Sequence, residues 1–337
     1  MDTLLSLLDI SGVSGNEDDV RNYILEKLAS VNPVVDSLGN IFVYLPVSPQ
    51  AKTILITAHI DEVGMIVSHI DKETGRIYVY MLGGLQIEGA IGEEVTIQTE
   101  KGYINGIVTT EWISNFNKKD DKIKIEDIYI DTGLSYNDLM SVEVGSFVSF
   151  VRKAKILNNN LIVGKAIDDR FGCYLLMELI KNLKEGRIFS PNNLLFLFTV
   201  REELLQKGLL NDIKQWPIDL MIALDTVNAN EHYDHSKVNT RFVGNGPILV
   251  LYNKAGLTDP KFNHYIQSLA REYKIPLQFA LQTHGDTDIH RIQSIIPDSG
   301  PATILSIAVK NVHTAFSIAS LNDIQNLSSL LNIIISM

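Results

Sequence analysis

Cysteine is almost absent from this sequence. Cys173 stands alone among 337 residues, so no intrachain disulfide can form, and a reducing, cytoplasmic location is expected. Long apolar runs are missing as well: none approaches the roughly 20 residues that a membrane-spanning helix needs. The opening Met1-Asp2-Thr3-Leu4 puts an acid where a secretory signal wants basic residues. Asp9 then breaks the apolar stretch, so neither a signal peptide nor a membrane partner is expected. Basic residues are outnumbered, 29 Lys and Arg against 40 Asp and Glu, for a formal net charge of −11. Such a charge repels a phosphate backbone and argues against a nucleic-acid partner. The one basic cluster, Asn117-Lys118-Lys119, runs straight into Asp120-Asp121 and reads as solvated loop. Internal repeats and low-complexity tracts are also lacking.

What is present is enough apolar material, 45% of the chain, for a sizeable core. The start reads as a helix, a turn at Ser11-Gly12-Val13-Ser14-Gly15, and a second helix with Val20, Ile24 and Leu28 at helical spacing. Ser14 or Asn16 is the expected cap of that helix. Strands are expected at Ile41 to Leu45 and Thr53 to Ala58, the second apolar enough to be covered on both faces. Between about Gly64 and Val163 short alternating strands recur, separated by glycine and charged turns, as in a small β barrel or sandwich. An α/β texture then returns. It brings a helix over Arg170 to Leu183, strands at Asn193 to Val200, Leu220 to Leu224 and Thr303 to Val309, and a hairpin turn at Gly244-Asn245-Gly246. The last helix starts near Asn322 and carries Ile324, Leu327, Leu330, Leu331 and Ile334 at core spacing. The expected organisation is an α/β domain made of 1–63 and 164–337, interrupted by a β insert over 64–163.

Acidic residues and histidines collect where the apolar strands end. His59 and Asp61 follow one strand, Glu202 and Glu203 a second, Asp225 a third and His313 a fourth, while Asp168 and Asp169 precede a helix. Open α/β sheets build their sites at the carboxyl ends of strands. A mixed set of imidazoles and carboxylates suits zinc, cobalt or manganese better than a structural thiolate site. Two such ions about 3.5–4 Å apart can share a carboxylate and a water-derived nucleophile. A further carboxylate must then stay free as general base, and adjacent glutamates can divide the two roles.

These segments, in this order, resemble the signatures of the M42 family of glutamyl and deblocking aminopeptidases. Ala58-His59-Ile60-Asp61-Glu62-Val63-Gly64 is similar to its first metal motif, and Lys165-Ala166-Ile167-Asp168-Asp169-Arg170 to its Lys-Ala-Leu-Asp-Asp-Arg motif. Thr199-Val200-Arg201-Glu202-Glu203, Ala223-Leu224-Asp225, His313 and the opening Ser11 to Glu17 also match. The resemblance implies a mixed, largely parallel sheet flanked by helices, as in zinc peptidases, with the β insert mediating dimers that can build dodecamers. It implies two divalent transition ions per chain, zinc or cobalt foremost and manganese also compatible. His59 and Asp225 would hold one, Glu203 and His313 the other, and Asp168 would bridge. Glu202 would be the general base and Asp61 would orient His59. Peptides would be the substrates.

The sequence departs from the family around His313, where Lys310-Asn311-Val312-His313-Thr314-Ala315-Phe316-Ser317 lacks the usual following glutamate. The family's Gly-Gly-Thr-Asp-Ala loop is replaced by His284-Gly285-Asp286-Thr287-Asp288-Ile289, whose His284 and Asp288 could line a substrate pocket. These departures keep two alternatives open: a metal-dependent N-acyl amino acid hydrolase, and a catalytically silent scaffold of the same fold. His69, His232, His235 and His264 read as surface residues. Cys173, on an apolar helix without a paired base, reads as a small buried side chain. A glycosidase is disfavoured, because adjacent strand-end glutamates do not face each other across a sugar.

Overall fold

The computed structural model describes residues 1–111, 123–158, 160–204, 211–230, 241–283 and 285–337. Two helices open the chain, α1 (Asp2–Asp9) and α2 (Asp18–Leu28), followed by strands β1 (Val34–Val35), β2 (Ile41–Leu45) and β3 (Thr53–His59). Six short strands follow: β4 (Gly64–Ile70), β5 (Ile77–Leu82), β6 (Glu94–Thr99), β7 (Gly102–Thr110), β8 (Ile128–Asp131) and β9 (Phe147–Phe150). Next come β10 (Lys155–Leu157), β11 (Leu161–Gly164), helix α3 (Ile167–Lys184), β12 (Asn193–Thr199) and β13 (Leu220–Asn228). The chain ends with β14 (Ile248–Asn253), β15 (Gly256–Leu257), α4 (Pro260–Glu272), β16 (Gln278–Leu281), α5 (Asp288–Ile295), β17 (Ala302–Val309), β18 (Ser317–Ser320) and α6 (Leu321–Ser336).

One sheet runs in the order β1-β2-β12-β3-β13-β17-β14-β15, with β16 paired to β14. Its four central strands, β12, β3, β13 and β17, are mutually parallel, and the flanking pairs β2–β12 and β14–β17 are antiparallel. Every residue of β3 and of β12 is buried. That explains their near-continuous apolar sequences: helices cover both faces of a parallel strand. On one face α1, α2, α3, α4 and α6 contribute Leu7, Ile24, Leu176, Ile266 and Leu331 to the largest core cluster. On the other, Ile289 and Ile292 of α5 pack against Leu195, Met221 and Ile304.

Strands β4 to β9 close into an antiparallel barrel in the order β4-β5-β8-β7-β6-β9. Its filling includes Val67, Val79, Ile97, Val108 and Val148, joined by Ala315 from the loop after β17. The expected mixed α/β sheet with an inserted β barrel is therefore present. After the barrel, β10 pairs with β11, and β11 with β18, in a separate three-stranded sheet beside the helices. Among the described residues no helix is long and apolar enough to cross a membrane.

Three local expectations are corrected. The N-cap of α2 is Glu17, with no side-chain cap bond. Ser14 Oγ instead donates to Asp61 Oδ2 at 2.5 Å, and the Asn16 amide to Gln98 at 2.6 Å, so long-range acceptors outcompete the local cap. Asp225 does not follow its strand but lies inside β13, paired in register with Ser306 of β17. Gly244-Asn245-Gly246 does turn, both glycines having positive φ, but no strand precedes it within 241–243. The turn is pinned by Asp323 of α6, whose carboxylate accepts from Gly244 N and Gly246 N at 2.7 Å each.

A buried ionic cluster joins three of the sequence motifs. Glu62 Oε1 accepts from Lys165 Nζ at 2.5 Å and Gly12 N at 2.9 Å, with Arg170 Nη2 at 3.6 Å. Arg170 in turn donates to the carbonyls of Ile60 and Leu7. The opening glycine turn, the β3 end and the start of α3 are thereby locked together, since removing either charge would strand the other away from water.

Candidate active site

The sheet brings the candidate residues to one edge. His59 is the last residue of β3, and Glu202 and Glu203 follow β12, its neighbour, with Thr199 opposite His59. Asp225 rises from β13 on the other side of β3, and His313 comes from the loop after β17. Because these strands are adjacent and parallel, their carboxyl ends share one rim. Asp168 reaches the same place from the first turn of α3, where Asp168 and Asp169 have non-helical torsions; the peptide bond between them is cis.

Asp168 lies between the two histidines. Its Oδ1 is 3.3 Å from His59 Nε2 and its Oδ2 is 3.4 Å from His313 Nε2. Glu203 Oε2 is 3.2 Å from His313 Nε2, and Glu202 Oε2 is 4.0 Å from His59 Nε2. Ligand atoms of His59, Asp168 and Glu203 all fall within 4.8 Å of one another. Asp225 lines the same cavity. Asp169 turns away, buried, with Oδ1 accepting from Gly172 N at 3.2 Å. The geometry thus separates the neighbouring aspartates: one faces both histidines and the other faces the helix.

Asp61 does more than its spacing from His59 suggested. His59 Nδ1 lies 3.2 Å from the Asp61 carbonyl and 3.5 Å from its Oδ1. The Asp61 carboxylate also accepts from the main-chain N–H of Glu202 at 2.9 Å and of Glu203 at 3.1 Å. One fully buried carboxylate therefore sets both the imidazole and the paired glutamates. Burial works against its charge, but the His59 imidazole, Ser14 and the Glu202 N–H hold Asp61 below the usual carboxylate range. Glu17 adds a second strut, accepting from Arg201 N at 3.2 Å and Gly15 N at 2.7 Å.

His313 finds its orienting partner on the barrel side. Its Nδ1 is 3.1 Å from the carbonyl of Gly84. A Cβ on Gly84 would stand 2.7 Å from that same Nδ1, closer than non-bonded atoms tolerate. Gly84→Ala is therefore expected to push the ring aside and lower kcat/KM by about 10–100-fold, the usual cost of losing such a support. Steady-state kinetics beside circular dichroism would check this, and an unimpaired variant would show that His313 needs no such support.

The electrostatics call for positive charge. Burial pushes the Glu202 and Asp225 carboxyls well above their ordinary range; Asp225 and Asp288 add to the effect at Glu202, and Asp168 adds to it at Asp225. Burial also opposes charge on the histidines, but Asp168 and Asp61 hold His59 well above the usual imidazole range. The Glu203 charge and the Asp168 contact raise His313 to about 11. The crowded carboxylates favour positive charge here, and divalent cations supply it with neutral imidazole ligands. Glu202 Oε1 is buried without a hydrogen-bond partner. Two imidazoles with ionisable carboxylates and no thiolate are a donor set that fits divalent transition ions.

The cavity beside these residues measures about 480 Å³. Its outer wall includes Asn228, Val250, Asn253, Lys254, Asp286 and Thr287. Asp286 pairs with His290 at 3.2 Å; burial opposes its charge, but this contact and the Thr287 N–H hold its carboxyl low. Asp288, expected as a possible pocket residue, is instead buried behind the wall, bonded to Thr199 Oγ1 and to Arg291 Nη1. It caps no open surface because α5 begins there and turns its first residue inward. His284, His232, His235 and the Lys118-Lys119 cluster lie outside the described residues. His69 and His264 are exposed and do not line this cavity. Cys173 is buried, its thiol pushed up by burial and by the Asp169 charge, which leaves it an inert core side chain. Sequence reasoning missed Gly84, Arg291 and the second role of Asp61, all of which act through main-chain groups far away in the chain.

Comparison with known proteins identifies the family of the chain. The family model for M42 glutamyl aminopeptidase matches residues 39–330. The lysyl aminopeptidase of Pyrococcus furiosus is 25% identical over 331 residues, covering 95% of this chain and 92% of the relative. A TET aminopeptidase from a marine sediment Thaumarchaeota archaeon superposes with a TM-score of 0.90 at 27% identity, over 100% of this chain and 96% of the other. The TET1 peptidase of Pyrococcus horikoshii, described as assembling into a tetrahedron or a large octahedral shell, gives 0.85 at 25% identity, over 99% and 98%. The family match takes in every candidate site residue from His59 to His313, and the chain belongs to the M42 family of glutamyl aminopeptidases, a family of peptidases.

Proposed function

We propose that this protein is a two-metal aminopeptidase that removes single residues from peptide N-termini. The observation that carries the reading is Asp168, which presents one carboxylate oxygen to His59 and the other to His313. Two divalent transition ions, zinc or cobalt foremost and manganese also compatible, would be held by His59 and Asp225 on one side and Glu203 and His313 on the other. Asp168 would be shared between them. When bound, these ions supply Lewis acidity toward the scissile carbonyl and lower the pKa of the attacking water.

The remaining work falls to the chain itself. Glu202, bound to neither ion in this scheme, takes a proton from the attacking water and passes it to the leaving amine. Asp61 fixes the His59 ring and the main chain of both glutamates. Asn253, Lys254 and Asp286 line the cavity in which the N-terminal residue would sit.

We read residues 64–163 as an inserted unit between 1–63 and 164–337, and as the element through which copies pair. The assemblies described for the P. horikoshii relative support a homo-oligomer, which we read as between dimer and dodecamer. The single cysteine and the acidic charge fit a cytoplasmic peptidase without a nucleic-acid partner.

The deciding comparison is between free-amine peptides and the same peptides N-acetylated. Cleavage confined to the free-amine series is expected. Hydrolysis of the acylated series alone would replace this reading with the N-acyl amino acid hydrolase.

A further inference from the structure

Glu202 is gripped from behind by a residue that the metal chemistry does not use. Arg291, in the first turns of α5, is 5% exposed, beside Asp288 at 4% and Glu202 at 6%. Its Nη2 donates to the main-chain carbonyl of Glu202 and stands 3.8 Å from Glu202 Oε1. Its Nη1 donates to Asp288 Oδ1 at 3.2 Å, and Asp288 Oδ2 accepts from Thr199 Oγ1 at the end of β12.

A buried arginine whose only task was neutralisation could spend its planar fork on Asp288, the carboxylate three residues before it. Here the fork is split between Asp288 and the Glu202 main chain. The consequence is directional: Glu202 Oε1 is drawn toward the guanidinium while Oε2 is left facing His59, 4.0 Å from Nε2. With Asp61 holding the Glu202 N–H and Arg291 holding its carbonyl, the residue is clamped through the peptide groups on both sides of its Cα. Helix α5 also follows directly on Asp286 and Thr287 of the pocket wall, so the same clamp sets the distance between wall and carboxylate.

We propose that Arg291 is the positioning residue for Glu202, aiming its free carboxylate oxygen at the reacting centre and tying it to the substrate-pocket wall. This rests on the aminopeptidase reading above. Removing the arginine alone would leave Asp288 buried and unpaired, so the test pairs Arg291→Met with the double variant Asp288→Asn/Arg291→Met, and adds Arg291→Lys.

Metal per chain, melting temperature, kcat and KM are measured on metal-loaded protein. In the double variant, kcat is expected to fall about 10²-fold, as a misplaced catalytic group does, with KM, metal content and melting temperature near wild type. Arg291→Lys should recover part of the loss. A folded, metal-loaded double variant with wild-type kcat would overturn the inference, as would a loss of kcat matched by an equal loss of metal. Should the double variant fail to fold, full kcat in Arg291→Lys would overturn it instead, because lysine keeps the charge and loses the fork. Failure of the aminopeptidase reading is distinguishable: the wild-type protein itself would then fail to cleave free-amine peptides, whether or not it bound metal.

Discussion

Glu202→Gln is expected to lower kcat by about 10²–10⁴-fold, the range that a lost general base costs, while metal content and KM stay near wild type. The substitution keeps the size of the side chain and both main-chain anchors, the Glu202 N–H on Asp61 and the carbonyl on Arg291. It removes only the ability to take and return a proton. In the proposed scheme Glu202 binds no ion, so the donor set of His59, Asp168, Glu203, Asp225 and His313 is untouched. Single-turnover kinetics with elemental analysis on the same sample separates the two quantities. A variant that keeps wild-type kcat would remove Glu202 from the chemistry and leave the proton transfer to another group.

The opposite pattern is expected at Asp168. In Asp168→Asn an NH2 group replaces one of the two oxygens that face the histidines, and the carboxylate charge shared between the two sides is lost. Here the effect should begin with the ions: metal per chain falls, and activity falls with it by about 10³-fold or more, because several kcal/mol of charge stabilisation disappear. Asp169→Asn provides the contrast. Asp169 lies buried against Gly172 N, so that change should disturb folding stability more than metal content. Equal metal binding in wild type and Asp168→Asn would exclude Asp168 as the shared ligand.

Residues on strand ends were legible because burial and periodicity are local. The apolar runs of β3 and β12 announce themselves, and so does the change of texture at Gly64 where the barrel begins. Asp168 stood out as one of an adjacent pair, but only the turn at the start of α3 decides which of the two faces the histidines. Asp225 was placed after its strand because the apolar run stops at Leu224. In the folded chain β17 continues to pair with it as far as Asn228, so the strand outlasts its apolar signal.

The supports of the site were not legible, and for a common reason. Asp61 meets the Glu202 and Glu203 N–H groups only because β12 lies beside β3 with Thr199 opposite His59. His313 meets Gly84 across the seam between sheet and barrel, over a chain separation that no periodicity spans. Ser14 has the local chemistry of a helix cap, yet the buried Asp61 carboxylate is the stronger acceptor and takes its hydroxyl. Side chains that bond to main-chain groups leave little pattern in a sequence, since any residue supplies the partner.

The most direct test of the two-metal site is the metal content per chain of protein purified without chelator, measured alongside hydrolysis of aminoacyl chromogenic substrates. Two transition ions per chain, with hydrolysis abolished by chelator and restored when metal is added back, is the expected result. A folded protein that takes up no metal, or one that hydrolyses the substrates undiminished after its ions are stripped, would contradict it.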